Sequence, residues 1–398
     1  MSKEIQETSF REFVALMALL ISLTALSIDT MLPALPLIGA DLGATGDNTK
    51  QYIVGFLFLG FTFGQMFYGP MSDSFGRKHS IYIGITIFIC GSIISMIAQN
   101  FSIMLMGRLL QGLGVAAPRV ISTAMIRDKY KGRDMARVMS FIMSIFILVP
   151  AIAPTLGQAI LMVSNWRMIF AVLLCIALII MVWVYFRLPE TLPQAKRLPF
   201  NLTTIKQGVR EVIKHRITFG YTICTGLIFA MLIGYLTSAQ QIFQEYYNAA
   251  DMFPLYFGVI ALSLGVASLL NSHLVKRIGM HRICHYSLLA MIVISGIFAA
   301  LFLSSAQQVP LWQFVTYAMT TFFFLGLLFG NLNAIAMEPM GHIAGVASAT
   351  IGVISSALSL ALGTIIGQLY SGTPLPVILG FLVLSSATFL LQLWLNKA

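Results

Sequence analysis

Gly69-Pro70-Met71-Ser72-Asp73-Ser74-Phe75-Gly76-Arg77-Lys78 divides two long apolar runs, one ending at Tyr68 and the next resuming at Ile81. Neither run is compatible with water, and a helix needs about 20 apolar residues to cross a bilayer core. Two membrane spans therefore meet here in a tight turn. Gly69 and Gly76 let the chain reverse and let two helices approach closely. Asp73 is placed to pair with Arg77 and Lys78 across the helix ends. Two cations at a turn assign it to the cytoplasmic face, because Lys and Arg are retained inside.

Outward from this turn the chain reads as twelve apolar runs, near 13–38, 51–71, 80–98, 102–125, 138–163, 168–188, 217–241, 254–274, 283–304, 311–336, 344–370 and 375–395. Each is helical by length, since lipid tolerates no open strand edge. The 398 residues are 58% hydrophobic and only 10% charged, against about 25% charged in a soluble protein. The net charge of +10 would point to nucleic acid in a soluble protein. Here the cations cluster in loops on one side, so topology explains them and no nucleic-acid partner is expected. The four cysteines are widely spaced, with neither a metal-binding nor a disulfide pattern. The amino terminus reads as an uncleaved first span.

The expected fold is an all-α membrane protein of twelve transmembrane helices in two pseudo-symmetric six-helix bundles. These are residues 1–188 and 217–398, joined by a cytoplasmic linker over 189–216 that carries Pro189, Pro193 and Pro199. Of the 24 Lys and Arg, Lys50 and Arg167 fall in opposite-side loops and Arg108 and Arg119 within a span; the other twenty share the side of the amino terminus. Both termini are therefore expected in the cytoplasm. The turn after span 8 repeats the one after span 2, with Gly279 matching Gly76 and Lys276 standing where Asp73 would. Such a degenerate copy is what two parallel repeats leave behind.

Several polar residues interrupt the spans. Asp29, in span 1, is the one carboxylate within an apolar core. Ionised, it would cost ~2.5–3.5 kcal/mol at the bilayer centre on insertion scales, so it suits a proton carrier facing a polar interior. The alternative is an acid at the outer mouth of span 1, solvated by water. Arg108 and Arg119 in span 4 are eleven residues apart, within roughly 20° of one another on a helix, so both are expected to face the cavity. Arg108 lies toward the outer half, as Asp29 does, and each would tune the other; a purely structural ion pair holding spans 1 and 4 together is the alternative. Pro150 and Pro154 in span 5 each lack a backbone donor and should bend it, with Gly157 close behind. Gln111, Tyr235, Gln240, Gln241, Asn331 and Asn333 are expected, with Arg119, to line a broad and mostly apolar cavity. Any one of them could instead bond only a neighbouring helix. Glu338 and His342, between spans 10 and 11, are four apart and placed to pair at a cytoplasmic gate. Gly60 with Gly64 and Gly363 with Gly367 read as close-packing faces. No catalytic constellation and no metal cluster is visible, which disfavours an enzyme or a receptor.

The pattern G-x-x-x-D-x-x-G-R-K of Gly69–Lys78 resembles the loop signature of the major facilitator superfamily. Arg108-Leu109-Leu110-Gln111-Gly112 resembles its span-4 signature, in which the arginine is tied to proton handling. Pro154 and Gly157 match part of the antiporter signature of drug exporters, with Ala153 and Gln158 in place of two of its glycines. Leu32-Pro33-Ala34-Leu35-Pro36 and the stretch Ala336–Gly345 are similar to the Bcr/CflA group of drug:proton antiporters. The resemblance covers essentially the whole chain. It implies a proton-coupled exporter of small, largely lipophilic drugs or metabolites working by alternating access in a bacterial inner membrane. A proton-coupled importer or a dedicated metabolite or amino-acid exporter is the alternative on the same scaffold. It further implies no cofactor beyond the proton gradient; the expected partners are a small-molecule substrate, protons and the bilayer, with the protein a monomer.

Overall fold

The computed structural model describes residues 9–46, 48–197, 202–306 and 308–396. Among these the chain is helical, with twelve long helices and two shorter ones. The long helices are α1 (Phe10–Asp29), α3 (Tyr52–Phe75), α4 (Arg77–Met96), α5 (Phe101–Lys129), α6 (Gly132–Val163), α7 (Arg167–Arg187), α9 (Arg216–Gln240), α10 (Phe253–Ile278), α11 (Met280–Ser304), α12 (Leu311–Met337), α13 (Ala344–Gln368) and α14 (Leu375–Asn396). Two amphipathic or broken segments add α2 (Leu35–Asp41) and α8 (Leu202–Lys214). Each long helix corresponds to one of the twelve apolar runs.

The chain divides into two compact units, one of residues 1–45 and 52–202 and the other of residues 46–51 and 203–398. Both use the same pairings. In the first, α5 packs against α3 and α4, α1 against α6, and α4 against α7. In the second, α12 packs against α10 and α11, α9 against α13, and α11 against α14. Two copies of one six-helix plan are what the repeated turn implies, and the turns agree in backbone geometry. Gly76 has φ +103° and ψ 152°, and Gly279 has φ +85° and ψ 152°. Both are left-handed conformations that a side chain resists, and each glycine opens the helix that follows it.

Glycine also sets the closest helix contacts. A Cβ on Gly60 would lie 2.0 Å from the Leu109 carbonyl oxygen, and one on Gly112 would lie 1.9 Å from that of Leu57. Helices α3 and α5 thus touch backbone to backbone. Gly64 gives room to the Ala116 side chain of α5, and Gly363 to the Ile233 side chain of α9. Outward surfaces carry Ile179, Val182, Phe186, Ile297 and Trp312 in exposed positions, as the lipid-facing side of a multi-pass membrane protein requires.

Two features depart from the expectation. Span 1 is discontinuous. Helix α1 ends at Asp29, a single 3-10 turn holds Leu32–Ala34, and α2 resumes at Leu35. Pro33 and Pro36 account for the break, since neither supplies a backbone donor. The linker, expected as a polar connection, contains α8. Its Leu202, Ile205, Val209 and Val212 recur at spacings of three and four, a helical period that the many neighbouring cations obscure.

Candidate functional site

In the first unit the break after Asp29 is the centre of the site. Asp29 is 4% exposed, which rules out the freely solvated acid at the mouth of span 1. It makes neither an ion pair nor a hydrogen bond among the described residues. The last four carbonyls of a helix have no partner within it. Two of those in α1 are met: Thr30 N donates to Leu26 O at 3.2 Å, and Arg108 Nη2 donates to Ser27 O at 3.0 Å.

Arg108 is 0% exposed and spends its fork on acceptors from three helices. Besides Ser27 of α1, Nε donates to Ile53 O of α3 at 3.1 Å, and Nη1 donates to Gln111 Oε1 of α5 at 2.7 Å. Gln111 Nε2 donates in turn to Ser92 Oγ of α4 at 2.8 Å. The Phe170 ring of α7 lies 5.9 Å from the guanidinium carbon. The structural ion pair between Asp29 and Arg108, the alternative to mutual tuning, is not formed among the described residues. Arg108 does join spans 1 and 4, but through a backbone carbonyl two residues before the acid. A cation at a helix C-terminus is favoured by the helix dipole, so Arg108 both caps α1 and fixes the place where Asp29 emerges.

Gly157 of α6 completes the break. Its Cβ position is 1.9 Å from Thr30 O and 3.5 Å from Pro33 Cδ, so only glycine admits α6 this close. Pro150 and Pro154 lie within the same α6. The Thr30 hydroxyl is buried without a hydrogen-bond partner among the described residues.

The residues expected to line one cavity have different surroundings. Arg119 does not share the environment of Arg108; it is half-buried, with its guanidinium 5.1 Å from the Phe146 ring of α6. The two are close in angle but about 16 Å apart along the axis, where the neighbouring helices differ. Gln111 is consumed by Arg108 and Ser92. In the second unit, Tyr235 stacks on Phe257 at 5.8 Å and meets Phe322 edge-on at 4.7 Å, within the bundle core. Asn331 and Asn271 exchange amide hydrogen bonds of 2.7 and 3.4 Å between α12 and α10. Asn333 is exposed. Gln240 donates to Gln244 Oε1 at 3.0 Å, and Gln241 donates to Asn48 Oδ1 at 2.9 Å.

The Gly69–Lys78 turn is a charge cluster. Arg77, 4% exposed, pairs with Asp73 at 2.6 Å and with Asp128 of α5 at 2.9 Å. It also donates to Ser72 Oγ at 2.7 Å, and Ser72 donates to Gly69 O at 2.9 Å. Glu190, absent from the sequence reading, accepts from the backbone N–H of Arg77 at 3.0 Å and of Lys78 at 3.1 Å. It thereby caps the N-terminus of α4. Lys78 Nζ donates to Tyr185 O at 3.0 Å. Asp128 and Glu190 lie far from the turn in sequence, and no local spacing marks them.

Glu338 and His342 do not pair with each other. His342 Nε2 lies 2.6 Å from Glu211 Oε1 of α8, and a 3-10 turn over Glu338–Ile343 separates α12 from α13. Non-helical backbone at Met340 breaks the four-residue spacing on which the expected pair relied.

The family model described as Major Facilitator Superfamily matches residues 17–364. The "Uncharacterized MFS-type transporter YdgK" of Bacillus subtilis is 32% identical over 360 residues, covering 89% of this chain and 87% of that protein. The "Bicyclomycin resistance protein homolog" of Haemophilus influenzae is 28% identical over 383 residues, covering 94% and 93%. The "Multidrug resistance protein MdtL" of Salmonella heidelberg is 28% identical over 356 residues, covering 87% of each. Among solved structures, the xylose transporter XylE from E. coli superposes with a TM-score of 0.70 at 13% identity, covering 97% of this chain and 96% of that one. At these identities the solved structures speak for the fold alone.

Proposed function

The chain belongs to the major facilitator superfamily, and from that premise we propose that it is a proton-coupled exporter of small, largely lipophilic drugs or metabolites. The observation that carries the reading is Asp29, a buried carboxyl at a broken helix with no charge partner among the described residues. Transporters of this architecture bind substrate and coupling ions at discontinuous helices. The names of the Haemophilus and Salmonella relatives supply the drug-export direction.

In the proposed cycle Asp29 takes a proton from outside, the access of the site switches, and the proton leaves as substrate binds. Arg108 acts as a positioning residue. It holds the end of α1 at Ser27 and so sets the orientation of Asp29 without neutralising it. Gly157 and the prolines of α6 seal the break on one side. The Asp73–Arg77–Asp128 cluster, with Glu190 and Lys78, ties α3, α4 and α5 at the turn whose release accompanies switching. The Glu211–His342 contact holds α8 against the turn between α12 and α13. Each charge moved is worth about 2.3 kcal/mol per 100 mV, roughly a fiftyfold concentration ratio. The protein works as a monomer in a bacterial inner membrane with both termini cytoplasmic. It needs no cofactor.

The test is expression in a drug-sensitised bacterial strain, scored against a broad panel that includes bicyclomycin and chloramphenicol. Raised resistance to at least one compound, lost in Asp29→Asn at equal protein level, is expected. Resistance to none would overturn the export reading.

A further inference from the structure

Two arginines lie in the apolar run of α5, and they differ in what answers their charge. Arg108 has acceptors from three helices, whereas the Arg119 guanidinium makes no ion pair and no hydrogen bond among the described residues. We propose that Arg119 is an anion subsite, and that the cargo of this protein includes organic acids, with a carboxylate on the Arg119 fork and an apolar or aromatic body beside Phe146. The proposal rests on the transport reading above and narrows it to a class of compound.

The cation sits inside the apolar layer. Arg119 is six residues, or ~9 Å of helix, from the end of its apolar run at residue 125. A helical side chain leans toward the N-terminus of its own helix, so Arg119 leans away from the charged end at Arg127, Asp128 and Lys129 rather than snorkelling toward it. Its guanidinium carbon lies 5.1 Å from the centroid of the Phe146 ring, and Phe146 is itself eight residues inside span 5. An ionisable group at such depth faces a polar interior and takes a partner, because a buried charge left uncompensated is strongly unfavourable. The face of one phenyl ring supplies only a weak attraction.

The described carboxylates of the first unit are engaged elsewhere. Glu12 pairs with Arg187, Asp41 with Arg167, Asp73 and Asp128 with Arg77, and Glu190 with Arg197. Asp134 is exposed in the first turn of α6. Asp29 lies beside the end of α1 that Arg108 holds, and Arg108 is ~16 Å from Arg119 along α5. The counter-charge is therefore the cargo's own. Arg119 is half-buried, and Thr123 and Arg127 follow it at steps of four, both exposed, so a polar track leads from the charged end of α5 to the guanidinium. The planar fork of arginine matches a carboxylate through two parallel hydrogen bonds, and the Phe146 ring suits an acid with an apolar body. Acid and proton are held at separate places and do not compete for one side chain.

The first test needs no cargo. Thr123→Cys, made in the full chain with the exposed Cys90 and Cys175 changed to Ser, places a thiol one turn from Arg119. The purified protein is treated with anionic sulfonatoethyl methanethiosulfonate and with its cationic trimethylammonium analogue. The ratio of anionic to cationic labelling rates is expected to fall roughly tenfold when Arg119→Gln is added, and to hold in Arg119→Lys. Should Arg119→Gln fail to fold, Arg119→Met keeps the apolar stem beside Phe146 and makes the same comparison. The second test is equilibrium binding of benzoate, cinnamate and ibuprofen, each beside its neutral amide. At least one acid is expected to bind roughly tenfold tighter than its amide and to lose that preference in Arg119→Gln. A labelling ratio indifferent to Arg119, or acids bound no better than their amides, overturns the proposal. If the chain exports nothing in the drug panel, the labelling ratio still decides whether Arg119 is a free cation. If export persists while that ratio ignores Arg119, the export reading stands and the anion subsite falls.

Discussion

Gly157→Ala tests whether the break after Asp29 is held by backbone contact. The new Cβ would fall 1.9 Å from Thr30 O and 2.9 Å from Thr30 C, where real Cβ atoms essentially never come closer than 3.0 Å. Neither side can yield by turning a rotamer, because both are main chain. Helix α6 must therefore retreat by more than an ångström, or the Thr30–Pro33 turn must move. Overpacking of this kind costs ~1–3 kcal/mol. The assay is the apparent melting midpoint of the purified protein in detergent at a fixed scan rate, since unfolding of such proteins is commonly irreversible. Gly345→Ala is the control, with nothing within 4 Å of its Cβ position and a place in the first turn of α13. Alanine there should be neutral or stabilise by about 0.5–1 kcal/mol. The same chemical change is thus expected to lower the midpoint at Gly157 and not at Gly345, and Gly157→Ala should lower transport more than its loss of stability explains. A midpoint for Gly157→Ala at or above the parent's would refute the reasoning.

Arg108→Lys should lower the same midpoint, because one ammonium cannot reach Ser27 O, Ile53 O and Gln111 Oε1 together, and each buried acceptor left bare costs ~1–3 kcal/mol; an unchanged midpoint contradicts this. For the amide pair of α10 and α12, Asn271→Ala alone, which strands the buried Asn331 amide, should destabilise more than Asn271→Ala combined with Asn331→Ala, since a lone buried amide is worse than none; a double-mutant cycle with additive losses would count against it. Glu190→Gln should cost about 0.5–2 kcal/mol by weakening the cap on α4, read as a lower midpoint and easier proteolysis near the Gly76 turn; equal protection in both proteins would remove Glu190 from the cap.

Much of this arrangement was legible in the residues, and the reason is physical. Lipid demands long apolar helices, and cations sort to one side of a membrane, so the twelve spans and the turn at Gly69–Lys78 declare themselves. Gly76 and Gly279 are readable because a left-handed joint leaves a glycine at the same place in each repeat. The partners of the polar residues were not readable. Arg108 is satisfied by the carbonyls of Ser27 and Ile53, and a carbonyl leaves no mark in a sequence. Gln240 and Gln241 are polar residues inside a span, which predicts an interior position but not that Gln244 and Glu245 take the first and Asn48 the second. Asp128 and Glu190 join Arg77 from distant segments, and Glu211 takes His342 from Glu338 because a 3-10 turn breaks the helical spacing. Helix α8 went unseen because its apolar period lies among lysines and arginines.

The account stands or falls on Asp29. The most direct measurement is pH-gradient-driven accumulation of an exported compound in proteoliposomes, comparing the parent with Asp29→Asn and with Asp29→Glu. Asparagine keeps the size and polarity of the side chain but has no proton to exchange. The account predicts that Asp29→Asn still binds the compound while accumulation no longer responds to the gradient, and that Asp29→Glu recovers part of the response. Accumulation by Asp29→Asn that follows the gradient as steeply as the parent's would contradict it.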